Sequence, residues 1–217
     1  MPVKVGLKLI EIWNDSMEDA VLEYEKEPIV KGQIVFYGPS TFTRWSEKWG
    51  MRPLRDDLLG ASGEKCCINR GFGSSCPEHQ LYYYNRLIKP LEPKVLVYKS
   101  HGNSKAFGYS NEEAWEIAQR VIAWARTDFP DIKIYLCGAN TKRTMTPEDT
   151  ESYNQYDSYA REFAKNTPNC HFIDLMAEKS IQGSHLYVED GVHFNQEGYD
   201  RFRDFWLEAL KDELKNY

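Results

Sequence analysis

Several features that define whole classes of protein are missing from this chain of 217 residues. No apolar run approaches the roughly 18 residues that a membrane-spanning helix needs, so we expect no membrane partner. Residues 1–15 lack the charged start and apolar core of a secretory signal. This favours the cytoplasm, with export still open if a leader has been removed. Repeats and low-complexity segments are also absent, which excludes fibrous and disordered classes.

The chain has too few basic residues for a nucleic-acid-binding surface, and its cysteines are too few or too poorly spaced for a disulfide scaffold or a zinc site. Lys and Arg number 27 against 33 Asp and Glu, and a net charge of −6 argues against a nucleic-acid partner. The five cysteines are odd in number, which disfavours a disulfide scaffold. Cys66, Cys67 and Cys76 are badly placed for tetrahedral zinc, so we expect neither metal nor cofactor. Cys137 and Cys170, in apolar runs, are expected to be buried thiols.

What the chain does contain is an alternation of short apolar runs and helical stripes. The apolar runs predict strands at residues 34–37, 66–69, 95–98, 132–136 and 172–173. The stripes predict helices at residues 16–27, 77–88, 114–125, 153–163 and 199–210. Ser110 and Glu113 form a capping box before the third helix. Strands separated by helices predict an α/β fold, a three-layer α/β/α sandwich with a central parallel sheet of about five strands. No linker interrupts residues 1–217, which we interpret as one domain.

Chemically capable residues follow the strands, at the edge where an open parallel sheet binds its ligands. Ser40 follows the first strand, Asn69 to Gly71 the second and His101 to Asn103 the third, while Asp190 to His193 precede the last helix. Acyl transfer needs such a set: a nucleophile, a base, a residue that orients the base, and oxyanion donors.

Each of these residues also has an ordinary structural interpretation. Ser40 is a reasonable helix N-cap, and Asn103 and Gly71 are common turn residues. Asp190 and His193 could form a surface turn that enters the last helix, with Asn195 as its N-cap. The ordered recurrence after successive strands favours the catalytic interpretation.

The pattern resembles the SGNH hydrolases, also called the GDSL esterase family. Four blocks carry the resemblance: residues 34–41 with Trp45, residues 69–73, residues 98–103 and residues 190–199. The resemblance implies the flavodoxin-like form of the sandwich. It also implies Ser40, Asp190 and His193 as the catalytic residues, with oxyanion donors at Ser40, Gly71 and Asn103.

Two blocks depart from the family pattern. Pro39 occupies the position of the aspartate in Gly-Asp-Ser and has no N–H, but the oxyanion donor would be the Ser40 amide, which is retained. The third block ends in Asn103-Ser104 where the family has Asn-Asp, and its alignment needs a one-residue insertion. The insertion places His101 near the site, as the third oxyanion donor, as a donor to the ligand or as a packing residue.

The resemblance implies a serine esterase that cleaves short-chain acyl esters through an acyl-enzyme. We expect a small-molecule or carbohydrate substrate with O-acetyl groups, since the chain offers no amphipathic lid. Trp45, His101 and Phe107 are candidate substrate-binding residues, because sugars stack on aromatic rings, although Trp45, Trp49 and Phe107 also suit a core.

Three alternatives remain open. A lysophospholipase or thioesterase of the same fold would use the same residues on another ester. A catalytically silent carbohydrate- or partner-binding relative would fit the altered blocks at Pro39 and Ser104. A metal hydrolase with His185, Glu189 and His193 on one helix face is disfavoured, because Gly191 weakens a helix there.

Overall fold

The computed structural model describes residues 6–9 and 11–217. Its strands are β1 (Ile34–Gly38), β2 (Cys67–Gly71), β3 (Val95–Tyr98), β4 (Lys133–Cys137) and β5 (Cys170–Ile173). They form a parallel sheet in the order β2-β1-β3-β4-β5. The strand order places β1 between β2 and β3, so the connection that leaves β1 leads to one side of the sheet and the connection that leaves β3 leads to the other. The predicted parallel sandwich is confirmed.

Helices connect the strands and cover both faces of the sheet. The α-helices are α1 (Asp15–Glu25), α2 (Ser40–Thr43), α3 (Leu54–Asp57), α4 (Pro77–Leu87), α5 (Asn111–Asp128), α6 (Pro147–Lys165), α7 (Gln196–Ala209) and α8 (Lys211–Leu214). Short 3-10 turns lie at Glu47–Trp49, Lys89–Leu91, Ser104–Phe107, Lys179–Ile181 and Ser184–Leu186. Within the described ranges, no helix is long and apolar enough to cross a membrane.

The side chains of β1 alternate between two apolar layers, as the two-residue period of a strand requires. Val35 and Tyr37 pack on the face covered by α1, α4, α5 and α6. Ile34 and Phe36 pack on the opposite face, which is covered by α2, α3, α7 and α8. All five β1 residues are buried, because the sheet is covered on both sides.

Local signals in the sequence set the helix starts closely. The Ser110–Glu113 capping box is present before α5, and the Asn195 side chain caps α7 by accepting the Gly198 N–H. Several predicted boundaries differ by a few residues, and two of these differences have a clear structural cause. Helix α6 begins at Pro147, where Thr146 and Asp149 form a second capping box. Strand β2 runs on to Gly71, because Gly71 pairs with Gly38 of β1.

The five cysteines are free and buried. Cys137 ends β4 and Cys170 begins β5, in agreement with the predicted buried thiols.

Candidate active site

Ser40 stands directly after the carboxyl end of β1, as the first residue of α2. The chain turns tightly here: a Cβ on Gly38 would lie 2.8 Å from the Lys99 carbonyl oxygen, so only glycine fits. Pro39 takes the N-cap position, with an extended backbone and no side-chain cap bond. The predicted capping role of Ser40 is therefore wrong, and its hydroxyl contacts His193 instead.

The structure brings Ser40, His193 and Asp190 together in one chain of hydrogen bonds. Ser40 Oγ lies 2.7 Å from His193 Nε2, and His193 Nδ1 lies 2.8 Å from Asp190 Oδ2. The other carboxylate oxygen, Oδ1, accepts the backbone N–H groups of Val192 and His193 at 2.9 and 3.0 Å. A tight turn between Asp190 and His193, with Gly191 at φ 69°, therefore presents the imidazole and the carboxylate as one unit.

A residue that the sequence analysis missed, Arg143, holds this turn from the segment after β4. Its guanidinium donates to the carbonyl oxygens of Tyr187, Val188 and Glu189 at 3.0, 2.7 and 3.2 Å. Its backbone N–H donates to the Gly191 carbonyl at 2.7 Å. These four bonds fix the backbone of the turn, so the position of the His193 ring depends on β4 as well as on α7.

The electrostatic surroundings suit a neutral imidazole next to an ionised carboxylate. Burial lowers the pKa of His193, while its hydrogen bond to Asp190 raises it in part and the Arg44 cation lowers it further. Burial raises the pKa of Asp190, but its hydrogen bonds from His193 and the Val192 N–H outweigh burial and hold that pKa well below its usual range. At neutral pH, His193 is therefore free to accept a proton at Nε2.

Of the three predicted oxyanion donors, the backbone N–H of Ser40 has no acceptor among the residues that the structure describes and is free to bind an oxyanion, whereas that of Gly71 already has an acceptor. The Ser40 amide is in the first turn of α2, where N–H groups have no intrahelical acceptor. The Gly71 amide donates to Asn69 Oδ1 at 2.9 Å. A Cβ on Gly71 would lie 2.6 Å from Phe42 Cβ, so glycine here permits α2 to pack on β2. These contacts are at odds with the predicted donor role of Gly71.

The loop after Gly71 offers free amides in its place. Ser74 has φ 59°, a left-handed conformation that turns the loop sharply. Among the described residues, the N–H groups of Gly73 and Ser74 meet no protein acceptor. Asn103 Nδ2 donates to the Ser75 carbonyl at 2.9 Å and so ties this loop to the segment after β3. A Cβ placed on Gly102 would lie 3.5 Å from Pro39 Cγ, so the segment that contains Asn103 lies beside the turn that carries Ser40.

His101 lines a polar cavity of about 250 Å³, which also includes Gly102 but none of Ser40, Asn103 and His193. Its ring packs edge-on against Tyr153 and Tyr156, with centroids 4.5 and 5.1 Å apart. Burial, together with the Lys99 and Lys142 cations, lowers the pKa of His101 to about 3, so the ring is neutral. The structure thus favours packing and cavity lining over an oxyanion role for His101.

The two aromatic residues predicted to bind substrate lie elsewhere. Trp45 is fully buried, donates from Nε1 to Asp57 at 2.7 Å and stacks on Tyr199, so the prediction that it contacts substrate is wrong. Phe107 packs edge-on against His79 and is outside the cavity lined by His101. The presence of an aromatic residue in the sequence does not show whether its ring lies in the core or on a binding surface.

The residues of the metal-hydrolase alternative do not form a ligand set. His185 lies in a 3-10 turn and Glu189 in the turn that precedes Gly191, so the two do not share a helix face with His193. In the part of the chain that the structure describes, no group of three or more His, Cys, Asp or Glu side chains is arranged to hold a metal ion.

No protein-family model and no curated protein matches the chain at the level of sequence. Solved structures do match its fold. A GDSL-like lipase from Bacteroides thetaiotaomicron VPI-5482 has a TM-score of 0.69 at 18% identity, over 91% of this chain and 98% of that one. An acetyl xylan esterase has a TM-score of 0.67 at 21% identity, over 82% and 99%. A Streptococcus pneumonia protein, provisionally assigned as a platelet activating factor, has a TM-score of 0.73 at 18% identity, over 95% and 96%. The chain therefore has the SGNH hydrolase fold that its sequence blocks predict.

Proposed function

We propose that this chain, which has the SGNH hydrolase fold, is a serine esterase that works through an acyl-enzyme. The observation that carries the proposal is the chain of hydrogen bonds from Ser40 Oγ through His193 to Asp190, with links of 2.7 and 2.8 Å. A nucleophile, a base and an oriented carboxylate in line are what activation of a hydroxyl requires. A binding protein has no need of this arrangement, which disfavours a silent relative.

In the first step, Ser40 Oγ attacks the ester carbonyl carbon while His193 Nε2 takes the hydroxyl proton. Asp190 accepts the Nδ1–H, which fixes the tautomer and stabilises the imidazolium. The negative charge that develops on the carbonyl oxygen is stabilised by the Ser40 N–H, an N–H of the Gly73–Ser74 loop and the Asn103 side chain. Each such donor typically contributes roughly 10²- to 10³-fold to kcat.

The tetrahedral intermediate then collapses and expels the alcohol. The His193 imidazolium gives its proton to the leaving oxygen, and the acyl group stays on Ser40 Oγ. Water attacks the acyl-enzyme with His193 again as the base, which releases the carboxylic acid and restores the Ser40 hydroxyl. No cofactor enters this sequence.

For the substrate, we propose short acyl groups, with O-acetyl groups on a carbohydrate as the favoured class. The cavity that begins at Gly102, next to the nucleophile turn, holds about 250 Å³ and is lined mostly by polar side chains, among them Ser104, Lys142 and Tyr153. Such a lining suits a hydroxylated leaving group better than a long alkyl chain. A similar structure is an acetyl xylan esterase, which agrees with this choice. A lysophospholipase or thioesterase would need an apolar acyl channel beside Ser40.

The test is hydrolysis by the wild-type chain and by Ser40→Ala. We expect the wild type to release acetate from p-nitrophenyl acetate and from acetylated xylo-oligosaccharides, and to act poorly on p-nitrophenyl palmitate. Ser40→Ala should lose roughly 10³-fold or more of the activity with an unchanged melting curve. Activity that persists in folded Ser40→Ala would contradict the mechanism, and activity abolished by EDTA would favour a metal hydrolase. A wild-type chain that binds acetylated sugars without cleaving them would identify a silent relative.

A further inference from the structure

Arg44 reaches the acid–base pair from the nucleophile's own helix. It lies one helical turn after Ser40, and its backbone N–H donates to the Ser40 carbonyl at 2.9 Å. Its Nη1 lies 3.1 Å from Asp190 Oδ2, the oxygen that also accepts from His193 Nδ1. One side chain therefore connects the segment that carries the nucleophile with the turn that carries the base, 146 residues later.

This contact completes the hydrogen bonding of the Asp190 carboxylate. Oδ1 accepts two backbone N–H groups, and Oδ2 accepts from His193 and from Arg44. A carboxylate offers about four lone-pair directions, so all of them are used. The carboxylate cannot rotate without breaking at least one charged contact, which keeps Oδ2 directed at Nδ1.

Arg44 is itself held in place. Its guanidinium carbon lies 4.4 Å from the centroid of the Trp49 ring, a cation–π arrangement. The pair with Asp190 is not deeply buried, since the two side chains are 24% and 39% exposed. Exposed pairs contribute little to folding stability, so the effect of Arg44 is expected in the orientation and charge of the site.

We propose that Arg44 is a positioning residue, which fixes the Asp190 carboxylate against His193 and couples both to the nucleophile helix. The proposal rests on the proposed function, since a role in orienting a base matters only where His193 acts as one. The family resemblance gave no role to this position, and the i, i+4 spacing from Ser40 is the signal that indicates it.

The sign of the electrostatic effect follows from the charges around His193. Asp190 in its own turn favours the imidazolium, and Arg44 from α2 opposes it. Arg143, from the segment after β4, contacts the turn through backbone carbonyls, and Tyr199 of α7 donates to the Thr41 carbonyl. Removal of the Arg44 cation should therefore make His193 easier to protonate, and the acid limb of kcat/KM should move to higher pH.

The first experiment compares pH profiles of p-nitrophenyl acetate hydrolysis. In Arg44→Gln we expect the acid limb of kcat/KM to move to higher pH by roughly half a unit. The plateau kcat should fall roughly tenfold, with little change in KM. Arg44→Lys should restore the limb, because it keeps the charge, and only part of the plateau, because it lacks the planar fork. Arg161→Gln on α6, which breaks an exposed pair with Asp174, is the matched control and should leave both the acid limb and the plateau unchanged.

A second experiment needs no turnover. An NMR titration of the His193 ring in the Ser40→Ala background should give a higher pKa when Arg44→Gln is added.

A third experiment measures rates again. In the Asp190→Asn background, Arg44→Gln should cause no further loss of plateau rate, because Arg44 positions His193 through Asp190.

The outcomes separate the two proposals. A folded Arg44→Gln protein with an unchanged limb, plateau and His193 titration would overturn the role of Arg44. An inactive wild type, or an active Ser40→Ala, would overturn the esterase proposal, while the titration would still decide the electrostatic role of Arg44.

Discussion

The two oxygens of Asp190 make different contacts, and a substitution can separate them. Oδ1 accepts the N–H groups that close the turn, whereas Oδ2 faces His193 and Arg44. An asparagine can keep the turn, because its carbonyl oxygen still accepts. Its NH₂ group faces Nδ1 and Arg44 as a donor, so it favours the wrong tautomer of His193.

We therefore expect Asp190→Asn to lower the plateau rate by up to roughly 10⁴-fold. Because Asp190 raises the pKa of His193, its loss should lower that pKa further and move the acid limb to lower pH, opposite to the effect of Arg44→Gln. The measurement is kcat/KM against pH, with Asp174→Asn as a control at a remote ion pair. An unchanged plateau and limb would show that Asp190 only shapes the turn.

Asn103 is predicted to be the side-chain oxyanion donor. Asn103→Ala should lower kcat by roughly 10²- to 10³-fold with little change in KM, because the contact forms mainly in the transition state. His101→Gln is the comparison, since His101 packs between Tyr153 and Tyr156 and should affect stability more than kcat. The reverse pattern, with the kcat loss in His101→Gln alone, would mean that the third block is misaligned by the inserted residue.

Single residues mark where sequence reasoning succeeds and where it stops. Ser40 was predicted from its position after the first strand, Asp190 and His193 from the turn before the last helix, and the family resemblance implied their roles; the structure places the three side chains in contact. Trp45 was misplaced because its burial just beyond the end of the short helix α2 leaves no trace in composition. Arg44 was missed because its i, i+4 spacing from Ser40 places it near the nucleophile, but its partner Asp190 is 146 residues away and is brought to it only by the fold.

At the scale of elements, side-chain caps fix the starts of α1, α5, α6 and α7. Asn195 Oδ1 accepts the Gly198 N–H at 2.9 Å, and its Nδ2 donates to the His185 carbonyl at 2.7 Å. The same side chain thus starts α7 and holds the segment that leads into the His193 turn. Such a cap is predictable, because Asn at this position is favoured whatever the tertiary structure. The end of β2 was not predictable in this way, because its pairing with β1 is a tertiary contact.

Asn195→Ala should destabilise the protein by about 1 kcal/mol, which lowers the melting temperature by roughly 2–4 °C in a chain of this size. Ser110→Ala removes a comparable cap from α5 and is the matched control. We expect similar losses of stability in both and a loss of esterase rate in Asn195→Ala alone, because only that cap adjoins His193. The measurements are melting curves and kcat on the same samples of both variants. Equal kcat in Asn195→Ala and Ser110→Ala would show that the His193 turn does not depend on the Asn195 cap.

At the scale of the whole molecule, one sheet separates two apolar layers, and a single layer supports both Ser40 and His193. The layer around Phe36 contains Trp45 and Trp206, and it supports α2 and α7, from whose N-terminal ends Ser40 and His193 are presented. The five-strand sheet and its covered faces followed from the apolar pattern alone. The assignment of each helix to a face did not, because every amphipathic helix has the same period.

Phe36→Ala should therefore cost about 3–5 kcal/mol, since it leaves a cavity between Phe42 and Trp206 at the centre of the molecule. Leu22→Ala, on the exposed side of α1, is the control and should cost far less, because Leu22 is 44% exposed. The free energy of unfolding from urea titration is the measurement. Equal costs would mean that the two layers are much less tightly packed than the burial of Phe36 indicates.

Because all five thiols are buried, their reaction with an alkylating reagent can report local unfolding of the core. Alkylating reagents attack thiolates, and burial raises the pKa of Cys137 to about 12 and that of Cys170 to about 11. The hydrogen bond from Cys67 lowers the pKa of Cys66 in the folded protein. Iodoacetamide added to the native protein should thus modify each cysteine only at the rate at which its part of the core becomes accessible. Mass spectrometry of the modified peptides would give a map of local stability from both layers, without any introduced label.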